Sequence, residues 1–174
     1  MYKRQVSFYV ARNYLSHFSP DFLFINGAPH KQHHAQGVGQ MYAIQAPFVL
    51  FGLYWLYKSK QKHRHLIVAW ILITFIPVSI TNDSIPHALR TLIAVPAYQV
   101  LSALGIYRVF ELFKNKNIKI VFACLLVSIF AISFGNYFNS YLTQYPIKYS
   151  RDWQYGNKQV VEFIAKYQDR YDLI

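Results

Sequence analysis

The stretch that decides the fold is IKIVFACLLVSIFAISFGNYF, residues 118–138, which carries Lys119 near its start and no other charge. It is the last of four apolar runs, after MYAIQAPFVLFGLYWLY at 41–57, LIVAWILITFIPVSI at 66–80 and ALRTLIAVPAYQVLSALGIY at 88–107. A helix needs about 20 residues, with a range of roughly 17–25, to cross a hydrocarbon core of about 30 Å. Three runs meet that length, and the second does so if Thr81 and Asn82 extend it. The chain is therefore expected to be an all-α membrane protein with about four transmembrane helices.

Composition agrees. A chain of 174 residues that is 54% hydrophobic, 18% aromatic and only 14% charged has more apolar surface than one soluble core would absorb, so lipid must cover part of it. The polar flanks dilute this signal and divide the chain in three. Residues 1–40 read as an interfacial segment on the outer face, 41–138 as the four-helix membrane region, and 139–174 as an outer segment that begins a soluble domain.

The formal net charge of +11 does not indicate nucleic acid, because the Lys and Arg residues sit at run ends instead of forming a groove interleaved with aromatics. They read as topology. Lys58, Lys60, Lys62 and Arg64 fill the first connection, and Arg108, Lys114, Lys116 and Lys119 flank the third. The middle connection, 82–87, has Asp83 and no Lys or Arg. Cytoplasmic loops are enriched in Lys and Arg, so the first and third connections face the cytoplasm, with both termini and the middle connection on the outer face of the cell membrane. Tyr54, Trp55 and Tyr57, then Trp70, then Tyr137, Phe138 and Tyr141 lie where interfacial anchors belong. The simplest reading of these aromatics is anchoring alone.

Both ends suggest a part of a larger membrane protein. Residues 1–40 contain no signal-peptide-like apolar stretch, and Lys3, Arg4, Arg12 and Lys31 oppose their export by the first run. At the other end, residues 149–167 read as a loop followed by an amphipathic helix. Its apolar Val160, Val161, Phe163 and Ile164 stand among Lys158, Glu162 and Lys166. Tyr171 to Ile174 then begins what reads as a strand with no partner.

The connection TNDSIPHALR, residues 81–90, has the marks of a helix start. Asp83 or Ser84 is a candidate N-cap, Pro86 suits a first turn, and free amide groups there favour an anion. His87 and Arg90, three apart, are expected on one helix face. Arg90 has two readings: a bidentate grip on phosphate oxygens, or a side chain that snorkels to the interface or pairs with Asp83. His87 either adds a hydrogen bond to that anion or is a polar cap.

Other constellations carry less. His30, His33 and His34 offer imidazoles, but no Cys or carboxylate stands near, and Gly27, Pro29, Gly37 and Gly39 mark a loop, so a solvated loop is expected over a metal site. Gly37 and Gly39 lack the preceding strand and third glycine of a nucleotide fingerprint. Residues 14–24 should pack over the bundle or lie on the membrane surface. Pro47, Pro77 and Pro96 should kink or break their helices. Glu111, near Arg108 and Lys114, reads as a surface ion pair. Cys124, the only cysteine, excludes a disulfide framework. No cofactor, metal site or hydrolytic triad is indicated.

Together, NYLSHFSPDFLF at 13–24, GVGQ at 37–40, PHALR at 86–90 and WQYG at 153–156 resemble, in order, the later half of bacterial membrane glycosyltransferases. The family is the protein mannosyltransferase-like branch (glycosyltransferase family 39-like) of the GT-C superfamily. The resemblance implies a partial GT-C-type helix bundle in the lipid bilayer that takes a polyprenyl-phosphate-linked sugar and passes the sugar to an acceptor on the outer face. It also implies that Arg90, with His87, holds the donor phosphate. The family's catalytic acid lies in a first outer loop with no counterpart here, and neither Asp21 nor Asp83 matches it. No catalytic residue is therefore assigned, the chain is expected to be inactive without the missing N-terminal half, and a non-catalytic four-span subunit that binds lipid phosphate or scaffolds a partner is the alternative.

Overall fold

The computed structural model describes residues 2–60, 62 and 64–167, and contains helices and irregular segments with no strand among those residues. The helices are α1 (Tyr2–Ser16), α2 (Ala46–Lys58), α3 (Arg64–Ser79), α4 (Ala88–Leu112), α5 (Lys116–Lys148) and α6 (Asn157–Tyr167). The strand expected at Tyr171 to Ile174 lies outside the described residues.

Two helices, the 25-residue α4 and the 33-residue α5, are long and apolar enough to cross a membrane. The first two apolar runs make shorter helices than expected. With 13 and 16 residues, α2 and α3 extend about 20 and 24 Å at 1.5 Å per residue. The first run loses length because Tyr42 is extended and Ala43–Gln45 forms a tight 3-10 turn before α2 begins. Pro47 sits in the first turn of α2, where its missing N–H costs nothing, so it starts that helix and does not kink it. Pro77 does lie inside α3. Pro96 follows a 3-10 turn at Leu92–Ala94 that interrupts α4. The fourth run continues past its expected end at Phe138: α5 widens over Ser140–Gln144 and ends at Lys148.

The core is the parallel pair α2 and α4. Their contacts run in the same order along both helices, from Gln45 with Gln99 (2.6 Å) to Trp55 with the Arg108 guanidinium (5.0 Å). Between these ends two glycines bring the backbones together. A Cβ on Gly52 would stand 1.9 Å from the Leu101 carbonyl oxygen, and one on Gly105 would stand 2.0 Å from that of Phe48. Ala94, Ala97 and Ser102 are further small residues buried on α4. Such close approach is how helices associate where solvent gives no hydrophobic drive.

The N-terminal segment packs on the end of α3. Phe18 meets Phe75 edge-on at 4.9 Å, and the His17 ring stacks on the same Phe75 at 5.3 Å. Polar groups at the end of α1 bond to carbonyls of α3 and of its C-terminal end, where a helix leaves carbonyls without intrahelical donors. Tyr14 donates to the Leu72 carbonyl at 3.0 Å, and the Asn13 amide donates to those of Ser79 and Thr81 at 3.3 and 3.2 Å. Phe22 and Leu23 then insert into the core. Packing, the first of the two expectations for 14–24, is what these contacts describe.

By contrast, α5 stands off the bundle. Only 6% of its most apolar stretch is buried, against 39% for α4. Ile118, Val121, Leu125, Val127, Ile132 and Phe134 are exposed, and its contacts with the bundle include the ring pairs Tyr42 with Phe130 and Phe48 with Phe122.

Candidate functional site

One end of the bundle gathers the basic connections. The Trp55 ring lies between Lys58 from the first connection, 5.2 Å away, and Arg108 from the end of α4, which donates to Glu111 at 2.6 Å. The opposite end carries the candidate site.

At that end α4 starts later than the sequence suggested. Neither Asp83 nor Ser84 caps it: the N-cap is His87, whose Nδ1 accepts from the Arg90 backbone N–H at 3.3 Å. Pro86, in a cis peptide after Ile85, lies outside the helix. The cap is imidazole because the His87 backbone is extended, so its ring folds back over the first turn, where a helix has unpaired N–H groups. This corrects the expectation that His87 and Arg90 share a face. His87 is only 2% exposed and turned inward. Arg90 points out, donating to Thr81 Oγ1 at 2.9 Å and pairing with Asp83 at 3.4 Å. The two side chains have different partners, and the Arg90 pair is a partly solvated one of the kind worth at most about 1 kcal/mol.

Two buried histidines tie the N-terminal segment to α4. His17, with no exposed surface, lies between the Asn13 carbonyl (2.8 Å from Nδ1) and the His87 N–H, which donates to its Nε2 at 3.2 Å. Those partners fix the neutral Nδ1–H tautomer. The His87 ring stacks at 4.6 Å on His33, which stacks at 4.0 Å on His30. The expected solvated loop is thus a folded one. It is held by backbone bonds from Gln40 and Met41 to Phe22 and Leu23, and by Lys31, 3.6 Å from Asp152. Gly27 is required in this loop, since at φ +75 a Cβ would also overlap the His34 ring. The rings meet face to face, so their nitrogens do not point at a common centre, and no group of three or more metal-ligating side chains is found among the described residues.

Sequence reasoning missed the role of His17. Its signal is an asparagine four residues ahead of a histidine at the end of a helix, which is legible only once residue 87 is known to be adjacent. Asp21 is exposed and accepts from Asn26 at 2.6 Å, away from Arg90's partners.

A second polar concavity lies on the other side of α4. Gln45, buried at the start of α2, accepts from the Tyr42 N–H at 3.1 Å and donates to Gln99 Oε1 and, at 3.5 Å, to Ser102. Tyr42, Gln45 and Gln99, with Gln40, His34 and Tyr137, line a cleft of about 290 Å³ between the loop, α4 and α5.

No family model, curated protein or solved structure matches the chain.

Proposed function

We propose that this chain is a four-span membrane protein with both termini and the 82–87 connection on the outer face, and that it is the donor-binding part of a polyprenyl-phosphate-sugar-dependent glycosyltransferase. The observation that carries the membrane reading is α5: its most apolar stretch is almost uncovered by protein, which supports a nonaqueous surrounding for it. The gathering of Lys58 and Arg108 on one indole supports a single cytoplasmic end, as positive charge retained inside would produce. The short α2 and α3 would reach both interfaces through local thinning of the bilayer and through their flanking aromatic and basic residues.

Arg90 supports the donor reading by position. It stands at the opposite end from the basic connections, at the start of a membrane-length helix, with its side chain partly exposed. A lipid-linked phosphate presents its charge at that depth, and an Arg fork suits it. His87 acts through Arg90's backbone, as the cap that orders the turn. No catalytic step is assigned to Asp21 or Asp83.

The Arg90–Asp83 pair favours the second reading, a non-catalytic subunit, because it already satisfies the guanidinium in part. Binding of undecaprenyl phosphate to the full chain in nanodiscs separates the donor reading from a pure scaffold. Under the donor reading Arg90→Ala weakens binding ten- to a hundredfold, the equivalent of a charged hydrogen bond of about 1.5–3 kcal/mol, and Asp83→Asn strengthens it by removing a competing carboxylate. Under the scaffold reading neither substitution changes binding.

A further inference from the structure

We propose that the cleft between the 34–42 loop, α4 and α5 is a binding site for a neutral sugar ring. Its lining determines the class of ligand. Gln40, Gln45, Gln99, Tyr42, Tyr137 and His34 supply its polar groups, and no Asp, Glu, Lys or Arg lines it. An ionic ligand would lose its hydration there without a counter-charge, whereas hydroxyl groups find both donors and acceptors. His34 adds no charge, because its Nδ1 accepts from the Gln40 amide at 3.2 Å while its Nε2–H donates to the Val38 carbonyl.

Part of the hydrogen-bonding capacity of the cleft is open. Gln45 holds the oxygen of the Gln99 carboxamide at 2.6 Å, which turns the Gln99 NH2 group away from Gln45. Among the described residues that NH2, the Gln40 carboxamide oxygen and the Tyr137 hydroxyl have no hydrogen-bond partner.

An aromatic ladder rises from the rim. Tyr137, Tyr141, Tyr145 and Tyr149 follow one another at four-residue spacing on and just beyond α5, with ring centroids 5.9, 5.6 and 5.3 Å apart. Of these only Tyr137 lines the cleft, and an aromatic ring there can meet the apolar C–H face of a sugar. At about 290 Å³ the cleft is at the lower limit of ligand pockets, about 300–1,000 Å³, which suits one ring.

Arg90 reaches toward the end of α3 while Gln99, nine residues on, faces Gln45 and α5. A sugar in the cleft is therefore not the one attached to a phosphate on Arg90. Resting on the transferase reading, we assign the cleft to the acceptor sugar.

The test is saturation-transfer NMR on the full chain in nanodiscs, free of sugar-based detergent, with the methyl glycosides of mannose, glucose and N-acetylglucosamine as probes and glucuronic acid as the charged control. At least one neutral glycoside is expected to bind, with glucuronic acid much weaker. Gln99→Leu and Tyr137→Phe are each expected to weaken binding about tenfold or more. Gln99 is exposed and Tyr137 half-buried, and unchanged circular dichroism would verify that the variants fold. Glycoside binding that survives both substitutions, or no glycoside binding in a protein that does bind undecaprenyl phosphate, overturns the cleft assignment and leaves the donor reading intact. Glycoside binding without phosphate binding supports the sugar cleft and removes the donor reading.

Discussion

Gly105→Leu is expected to separate α2 from α4 and to lower the stability of the bundle by about 3 kcal/mol or more, at the upper end of overpacking costs. The reason is backbone, not side chain. Even the first carbon of a new side chain would stand 2.0 Å from the Phe48 carbonyl oxygen, and on Gly52 it would stand 1.9 Å from that of Leu101. A flexible neighbour could turn aside; a helix carbonyl cannot, so the axes must part and the Gln45–Gln99 bond at the end of the seam must break. Gly52→Leu should match it. Gly135, on the uncovered α5, has open space where a Cβ would go, and Gly135→Ala should be neutral or slightly stabilising through helix propensity. Thermal unfolding in mild detergent distinguishes the three. Equal midpoints for Gly105→Leu and Gly135→Ala would contradict the packing described.

The second large effect is on pH dependence. Burial holds His17 and His87 below the ordinary histidine range, for His87 with help from the charge of Arg90 and of His33 and His30 and against that of Asp83; hydrogen bonds to backbone oppose the shift at His17. Burial lowers His34 in the same way. The unfolded chain, with histidines near 6.5, therefore binds protons that the folded chain does not. Stability contributed by these neutral rings is full above about pH 6.5 and is lost as pH falls toward their depressed folded values. The unfolding midpoint is expected to drop between pH 7 and pH 5, beginning with release of the N-terminal segment. His17→Phe keeps an aromatic ring against Phe75 but leaves the His87 N–H without its acceptor, a loss of about 1–3 kcal/mol. It should be less stable at pH 8 and show a flatter acid profile. A wild-type midpoint unchanged down to pH 5 would contradict this.

Helix class and the positions of the apolar runs were legible because hydrophobicity over 15 to 20 residues is a long-range average that a few local features cannot hide. Helix ends were not. The first run looked like 17 residues of span, but Tyr42 and Ala43–Gln45 use four of them in a turn, and Pro47 reads as a breaker or a starter depending on where that turn falls. The site suffered the same way. Asp83, Ser84 and His87 can all cap a helix, and only the extended backbone at His87 selects it. That choice buries the ring which spacing alone placed beside Arg90. The histidine loop looked solvated because its partners, His87, Phe22 and Asp152, are distant in sequence. The cleft around Gln99 had no local signal, since one glutamine in an apolar run acquires meaning only from Gln45, 54 residues earlier.

The central claim is a four-span protein whose basic connections lie together on the cytoplasmic side. Cysteine accessibility in intact cells tests it most directly, using Cys124→Ser as background and single cysteines at Lys60, Asn82, Lys114 and Arg151. A membrane-impermeant maleimide is expected to label positions 82 and 151 from outside, and positions 60 and 114 only after permeabilisation. Labelling of 60 and 82 from the same side, or recovery of the chain in the soluble fraction, would contradict the account.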